Sequence, residues 1–282
     1  MSVTDSTTPF ARLLKRLQLE EIESDVFLGG SGVGGVTSNA RLFGGLVAAQ
    51  ATMAAINTVS DDYLLHSLHA YFLRPGRAES DIRFVITRSK QGRNFQVRNV
   101  MAWQNDGEIF QLQASFMRPE PGVQHAPTMP DVPAPDELPN RDQLRGRDNW
   151  RNMPIDVRMV NEITADQPLP PEQSIWIKAN GTLSDARLHT GLLVYATDRT
   201  LLDTAWRPHA DQGELAGASL DHSIWLHQPP RMDDWLLYVM HSPVADAARG
   251  LAFGHLFTQS GDCIATVAQE GLLRARSRTQ KR

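Results

Sequence analysis

The 282-residue sequence predicts an α+β protein made of two similar halves. The leading observation is an internal repeat. Leu68-His69-Ala70-Tyr71-Phe72-Leu73-Arg74-Pro75 returns in degraded form as His222-Ser223-Ile224-Trp225-Leu226-His227-Gln228-Pro229. Val100-Met101-Ala102-Trp103-Gln104-Asn105-Asp106-Gly107 returns as Gly254-His255-Leu256-Phe257-Thr258-Gln259-Ser260-Gly261. Both pairs lie 154 positions apart (229 minus 75, and 261 minus 107). In each half, moreover, a largely apolar helical stretch precedes a run of strand-like segments. Between the halves lies a proline-rich segment with few large apolar residues.

Residues 1–9 are polar and expected to be mobile. Phe10 to Ile22 carries Phe10, Leu13, Leu14, Leu17 and Leu19 at mostly helical spacing, which predicts a short amphipathic helix. Gly29-Gly30-Ser31-Gly32-Val33-Gly34-Gly35 reads as a flexible loop. Leu42 to Thr58 is apolar around most of a helical circumference, so it predicts a buried helix. Strand character runs from about Leu64 to Phe116, punctuated by turns at Arg74-Pro75-Gly76, Gln91-Gly92-Arg93-Asn94 and Asn105-Asp106-Gly107. Within it, Phe95, Val97, Asn99, Met101 and Trp103 alternate with polar partners, and the Asn-Asp-Gly turn closes a hairpin onto Ile109 to Phe116. Pro119 to Pro139 holds seven prolines and reads as a linker. The second half opens with strand-like Ile155 to Val160 and Ser174 to Ala179. A helix is expected from about Asp185 to Ala205, then the repeated strands from Ser219 to Leu273. The tail from Arg274 is basic and expected to fray.

Composition narrows the function classes. A hydrophobic content of 41% and a charged content of 21% are ordinary for a globular chain. Net charge −4 gives no basic field, so nucleic acid is not an expected partner and an anionic ligand needs a local basic pocket. Cys263 is the sole cysteine, which excludes an intrachain disulfide and a cysteine zinc cluster. No apolar run approaches the ~18–20 residues of a membrane span, and the N-terminus lacks a secretory pattern. A cytoplasmic protein is expected.

Several signatures fail on context. Gly30-Ser31-Gly32-Val33-Gly34-Gly35 fits G-x-G-x-x-G by letter but opens no parallel βαβ unit. There is no G-x-S-x-G elbow, no H-E-x-x-H and no Walker motif. Asp198, in Leu193-Val194-Tyr195-Ala196-Thr197-Asp198, draws attention because a carboxylate in an apolar helix is costly unless hydrogen-bonded. It could equally lie on a solvated edge or cap the Thr200-Leu201-Leu202 segment. Ser219 begins a repeated strand, and Gln269 lies in the last apolar strand. At the repeat spacing, Leu65 and Ser115 are their counterparts; matching Gly45 to Gly191 sets Thr52 against Asp198. Singly, Ser219 reads as a surface serine and Gln269 as a ladder amide. A site requires all three to meet. His66, His69, His222 and His227 occur on both copies and are expected to serve structural hydrogen bonds. Tyr71, Trp103 and Trp225 read as core or sheet-packing residues, and Cys263 as inert.

Taken in order, Phe43-Gly44-Gly45, His66 to Gly76, Leu193 to Asp198, Asp221-His222-Ser223-Ile224-Trp225 and Val267-Ala268-Gln269-Glu270-Gly271 resemble the acyl-CoA thioesterase II family over about Leu13 to Arg274. The resemblance implies an intrachain double hotdog: two tandem folds, each a long buried helix wrapped by an antiparallel sheet. It places an N-terminal hotdog at 10–118, a linker at 119–150, and a C-terminal hotdog carrying the site at 151–274. It also carries the family's catalytic trio onto Asp198, Ser219 and Gln269, with Ser219 standing where the family usually has Thr.

The chemistry expected is hydrolysis of acyl-CoA by a water activated by Asp198 and positioned by Ser219 and Gln269, without metal or other cofactor. A backbone N–H near a helix start would polarise the thioester oxygen, with no residue assigned. Alternatives are a non-catalytic acyl-CoA-binding hotdog protein and a hotdog enoyl-CoA hydratase. The latter needs an Asp/His pair beside an Asn-Pro-type turn, which is not found. Assembly into homo-oligomers is consistent with the resemblance.

Overall fold

The computed structural model describes residues 8–30, 41–105, 107–146, 153–161, 167–212 and 215–275. The glycine-rich stretch from Ser31 to Gly35, the first seven residues and the tail beyond Ala275 lie outside them, as does Asp106 in the Asn-Asp-Gly turn. The first helix, α1 (Pro9–Leu17), is capped by the Thr8 hydroxyl and buries Phe10, Leu13 and Leu17. It is shorter than the sequence suggested. Ile22 belongs instead to β1 (Glu20–Glu23), a wholly exposed strand that pairs with β2 (Val26–Gly29) through Asp25 at φ 61°. Three glutamates on β1 leave it no apolar face to bury, and their charge suits an edge strand.

The buried helix is α2 (Gly44–Ile56); every residue from Gly45 onward is buried. Four strands follow: β3 (Leu64–Phe72), β4 (Ile82–Gln91), β5 (Phe95–Gln104) and β6 (Gly107–Met117). After a short helix α3 (Arg141–Leu144) come β7 (Ile155–Met159), β8 (Glu172–Ala179) and α4 (Ala186–Thr197). The chain closes with α5 (Asp203–Trp206), β9 (Leu215–Ser219), β10 (Asp221–Leu226), β11 (Leu236–Asp246), β12 (Arg249–Thr258) and β13 (Cys263–Ala275). The expected helix through Ala205 is therefore two helices, broken after Thr197.

All the strands join one antiparallel sheet in the order β1-β2-β4-β5-β6-β3-β10-β13-β12-β11-β8-β7, with β9 alongside β13. The halves meet where β3 pairs with β10, and His69 stands opposite Ser223 there. Those two positions are repeat equivalents (223 minus 69 is 154), so the approximate two-fold axis of the double hotdog passes between them. Their side chains touch, His69 Nδ1 to Ser223 Oγ at 3.1 Å. On the inner face α2 and α4 pack against each other, running antiparallel. A side chain at Gly45 would collide with the Tyr195 carbonyl oxygen (2.8 Å) and with the Phe43 ring, so the backbones approach closely there. One continuous core of helix and sheet residues spans both halves.

Two readings are corrected by register, and a third is narrowed by exposure. On β5 the buried face is Arg98, Val100, Ala102 and Gln104, while the more apolar set from Phe95 to Trp103 is exposed or half-buried. Arg98 escapes the cost of burial by donating to Thr58 Oγ1 (2.8 Å), to the Thr58, Lys90 and Val97 carbonyls, and to Gln96 Oε1. Tyr71 (54% exposed) and Trp225 (38%) lie on the outer face, and Trp225 packs edge-on against His69 (5.1 Å), the sheet-packing alternative rather than the core one. Finally, β6 and β13 are related by 155 positions. Ala114 faces Arg98, and Gln269 faces Ala252, the repeat equivalent of Arg98. The counterpart of Gln269 is thus Ala114, because the second hairpin turn is one residue longer than the first.

The proline-rich segment packs along the sheet. Its Pro133 carbonyl accepts from Trp176 Nε1 (3.0 Å), and Pro139 accepts from the Met159 N–H at the outer edge of β7. Met129, Val132 and Leu138 cover a second apolar cluster around Trp176, Leu237 and Phe257.

Candidate active site

Asp198 is the C-cap of α4, with φ −70° and ψ −17°, and only 8% exposed. The capping alternative is thus near the observed position, but the residue caps α4 rather than starting α5. A helix C-terminus carries partial negative charge, so a carboxylate there needs compensating donors. Two neutral side chains supply them. Ser219 Oγ donates to Asp198 Oδ1 at 3.2 Å, and Gln269 Nε2 donates to the same oxygen at 2.5 Å. Gln269 Nε2 also donates to Ser219 Oγ at 3.0 Å. Since a carboxylate only accepts, this closed triangle fixes which way the Gln269 amide faces. The three residues singled out in the sequence do meet.

The backbone holds them. Ser219 ends β9 opposite Gly271, and Leu220 N–H donates to the Glu270 carbonyl (2.9 Å). Asp221 Oδ1 accepts from the Glu270 N–H at 2.7 Å, and burial raises the Asp221 pKa. The Phe72 N–H donates to the Leu220 carbonyl, which ties β3 of the first half to the same corner. Gln269 is fully buried between β10 and β12.

Behind Asp198, His222 Nε2 lies 3.0 Å from Thr197 Oγ1, and that hydroxyl donates to the Val194 carbonyl. The hydroxyl's only proton is used, so His222 carries its own on Nε2. Complete burial lowers the His222 pKa, and the nearby Asp198 opposes this. The other strand histidines also make side-chain hydrogen bonds: His66 to Ser115 and His227 to Thr266. Burial pushes the Cys263 thiol up, away from the reactive thiolate.

Residues the sequence reading left unassigned complete the corner. A methyl at Gly44 would stand 3.1 Å from Asp198 Oδ2 and 2.7 Å from Phe72 Cε1. The start of α2, from the first half, therefore adjoins the carboxylate of the second. Phe43 caps α2 without a side-chain hydrogen bond, and the first N–H groups of a helix have no intrahelical acceptor. The Phe43 ring packs edge-on against Tyr195 (5.1 Å) and Phe72 against Phe110. Beyond Asp198, Arg199 Nη2 bonds both oxygens of Asp142 on α3 (3.2 and 3.4 Å), and Arg141 bonds Asp203 (2.5 Å). Burial lowers the Arg141 pKa to about 10. The only sequence signal for these parts was the glycine pair Gly44-Gly45 at a helix start; α3 follows the linker and is too short to show a period. No cluster of metal-ligating residues occurs among the described residues, and no helix among them is long and apolar enough to cross a membrane.

A buried acid is thus held by a hydroxyl and an amide beside the start of a helix from the other half. The family described as "Acyl-CoA thioesterase" matches residues 148–272, and "Acyl-CoA thioesterase N-terminal domain" matches 34–117. Acyl-coenzyme A thioesterase 8 of Rattus norvegicus is 35% identical over 94% of this chain and 89% of its own length. This chain belongs to the acyl-CoA thioesterase family. Acyl-CoA thioesterase 2 of Haemophilus influenzae is 37% identical over 93% of this chain and 96% of its own. A crystal structure of acyl-CoA thioesterase II TesB2 from Mycobacterium marinum superposes with TM-score 0.79 at 36% identity, covering 94% and 99% of the two chains. A hot dog fold protein from Alicyclobacillus acidocaldarius, at 18% identity and TM-score 0.76, shares the fold. Both matched segments of the thioesterase family contribute to the corner described above: Gly44 and Phe72 from one, Asp198, Ser219 and Gln269 from the other.

Proposed function

We propose that this chain hydrolyses acyl-CoA to a free carboxylic acid and CoA, with Asp198 as general base. The observation that carries this reading is the division of labour within one carboxylate. Asp198 Oδ1 takes both side-chain donors, while Oδ2 faces the start of α2 beside Gly44.

A water at Oδ2 would lose a proton to it as its oxygen attacks the thioester carbonyl carbon. Ser219 and Gln269 keep the acid from rotating, so the attack is aimed rather than merely allowed. The carbonyl oxygen, gaining negative charge, would receive a backbone N–H from the first turn of α2, where the helix dipole also favours an anion. The C–S bond then breaks, and the departing thiolate takes the proton from Asp198. Phe43 and Phe72 would wall the entrance for the acyl chain.

The test is Asp198→Asn, which keeps shape and removes the base. Release of CoA thiol from a panel of acyl-CoAs should fall by about 10²–10⁴-fold, with an unchanged far-UV spectrum. Full activity in that variant would remove Asp198 from the chemistry. Saturable acyl-CoA binding without turnover by the unaltered chain would instead favour the binding-protein alternative.

A further inference from the structure

At the opposite end of the α2–α4 pair from Asp198 lies a cavity of about 790 Å³, within the ~300–1,000 Å³ of ordinary ligand sites. Its place in the repeat is specific. Its wall includes Leu65 and the run from Leu226 to Pro230. At 154 positions, Leu65 is the equivalent of Ser219, and Leu226 to Pro230 are the equivalents of Phe72 to Gly76. The two helices align by their caps, Phe43 with Asp185 (142 apart) and Asn57 with Asp198 (141 apart). Ile56, also in the wall, then falls beside the position of Asp198. The Thr52 suggested by the Gly45–Gly191 match sits mid-helix, its hydroxyl bonded to the Ala48 carbonyl. The cavity is the two-fold mate of the candidate active site.

What changed between the mates is the polarity of three positions. Asp198, Ser219 and Gln269 are replaced by Ile56 or the exposed Asn57, by Leu65 and by Ala114; Ile56, Leu65 and Ala114 are buried and apolar. The base and its holders are gone, yet the space between helix ends and sheet is kept. Phe116 and Met117 extend the apolar wall, and Arg187, paired with the exposed Asp61, stands at the rim.

We infer that this cavity is a second, non-hydrolytic binding site for an acyl chain. The inference relies on the acyl-CoA reading of the first site, since equivalence by repeat is what names the occupant. Either a free fatty acid or an acyl-CoA brings the same chain, and the two are separable by experiment.

Isothermal titration with dodecanoate, and separately with the non-cleavable thioether S-dodecyl-CoA, reads the number of sites per chain. For at least one of them two sites are expected; two for dodecanoate alone identifies the acid, two for the thioether alone the CoA conjugate. Thr190→Trp or Met117→Arg, at half-buried wall positions remote from Asp198, should remove one site while kcat/KM for acyl-CoA stays within about twofold. One site for both ligands, or two that survive both substitutions, overturns the inference. If the unaltered chain binds yet fails to release thiol, the hydrolytic reading falls, while the site count still decides this one.

Discussion

Gly44→Ala is the substitution that most directly probes how the two halves share one reaction centre. The added methyl would lie 2.7 Å from Phe72 Cε1 and 3.1 Å from Asp198 Oδ2, inside the ~3.5–4.0 Å of ordinary carbon contact. The Phe72 ring, half-buried, can give way. The carboxylate cannot, because Ser219 and Gln269 hold its other oxygen. A thioester pushed back by about 1 Å should lose roughly 10²-fold in turnover, or about 2.7 kcal/mol of barrier. Folding should change little, since the gain in helix propensity, up to about 1 kcal/mol, offsets repacking of one ring, about 1–3 kcal/mol. Steady-state thiol release beside a thermal melt separates the two effects. Adding Phe72→Leu should not restore the rate, because that relieves only the ring contact. Turnover within about threefold of the unaltered chain, at unchanged melting temperature, would refute the placement of the reaction at the start of α2.

Ser219→Ala removes both a donor to Asp198 and an acceptor for Gln269, so kcat should fall by about 10–10²-fold, on the scale of a hydrogen bond to a charged group. Ser219→Thr keeps the hydroxyl and should stay within about threefold in the same assay. Asp142→Ala leaves the mostly buried Arg199 without this carboxylate; breaking such a pair costs about 3–5 kcal/mol and should lower the melting temperature by about 10 °C. Acidification should destabilise the fold. Burial lowers the pKa of His222, and also of His66, His189, His227 and His255, below the unfolded value of about 6.5. The unfolded chain therefore takes up protons that the native chain resists, and stability falls as pH drops below about 6.5 and is flat above it as far as these groups are concerned. Melting at pH 7.5 and 5.5 measures this, and His222→Gln should shrink the difference.

Much of the architecture was legible because a repeat is a global signal that survives local ambiguity. The pairing of β3 with β10 and the close packing of α2 on α4 both follow from two copies burying one face against each other. Local polarity was less reliable. Alternation on β5 pointed to the wrong face, since Arg98 is buried through five hydrogen bonds, two of them to Thr58, 40 positions away. The break after Thr197 was hidden because Thr200, Leu201 and Leu202 extend the apolar pattern although the helix has ended. The trio was legible only jointly; each member alone had a bland explanation. The Asp142–Arg199 pair was not legible at all, being defined by a contact across 57 positions, while Gly44-Gly45 marked a helix start but not its approach to Asp198 across 154.

The two helix ends differ in a way that fits the proposal of one reaction centre in a duplicated fold. After α2, the buried Arg98 guanidinium donates to the carbonyl and hydroxyl of Thr58, placing a cation where the helix dipole favours one. Its equivalent after α4 is Ala252, in register with Gln269. With no guanidinium at that position, Asp198 meets neutral donors on one oxygen while Arg199 turns to Asp142. An arginine at residue 252, in register with Gln269, would bring a cation close to the carboxylate. Alanine at residue 252 leaves that helix end without the guanidinium the other copy has, and leaves Asp198 available for the proposed role as base. Keeping it in the other copy stabilises the scaffold against which the acid is aimed.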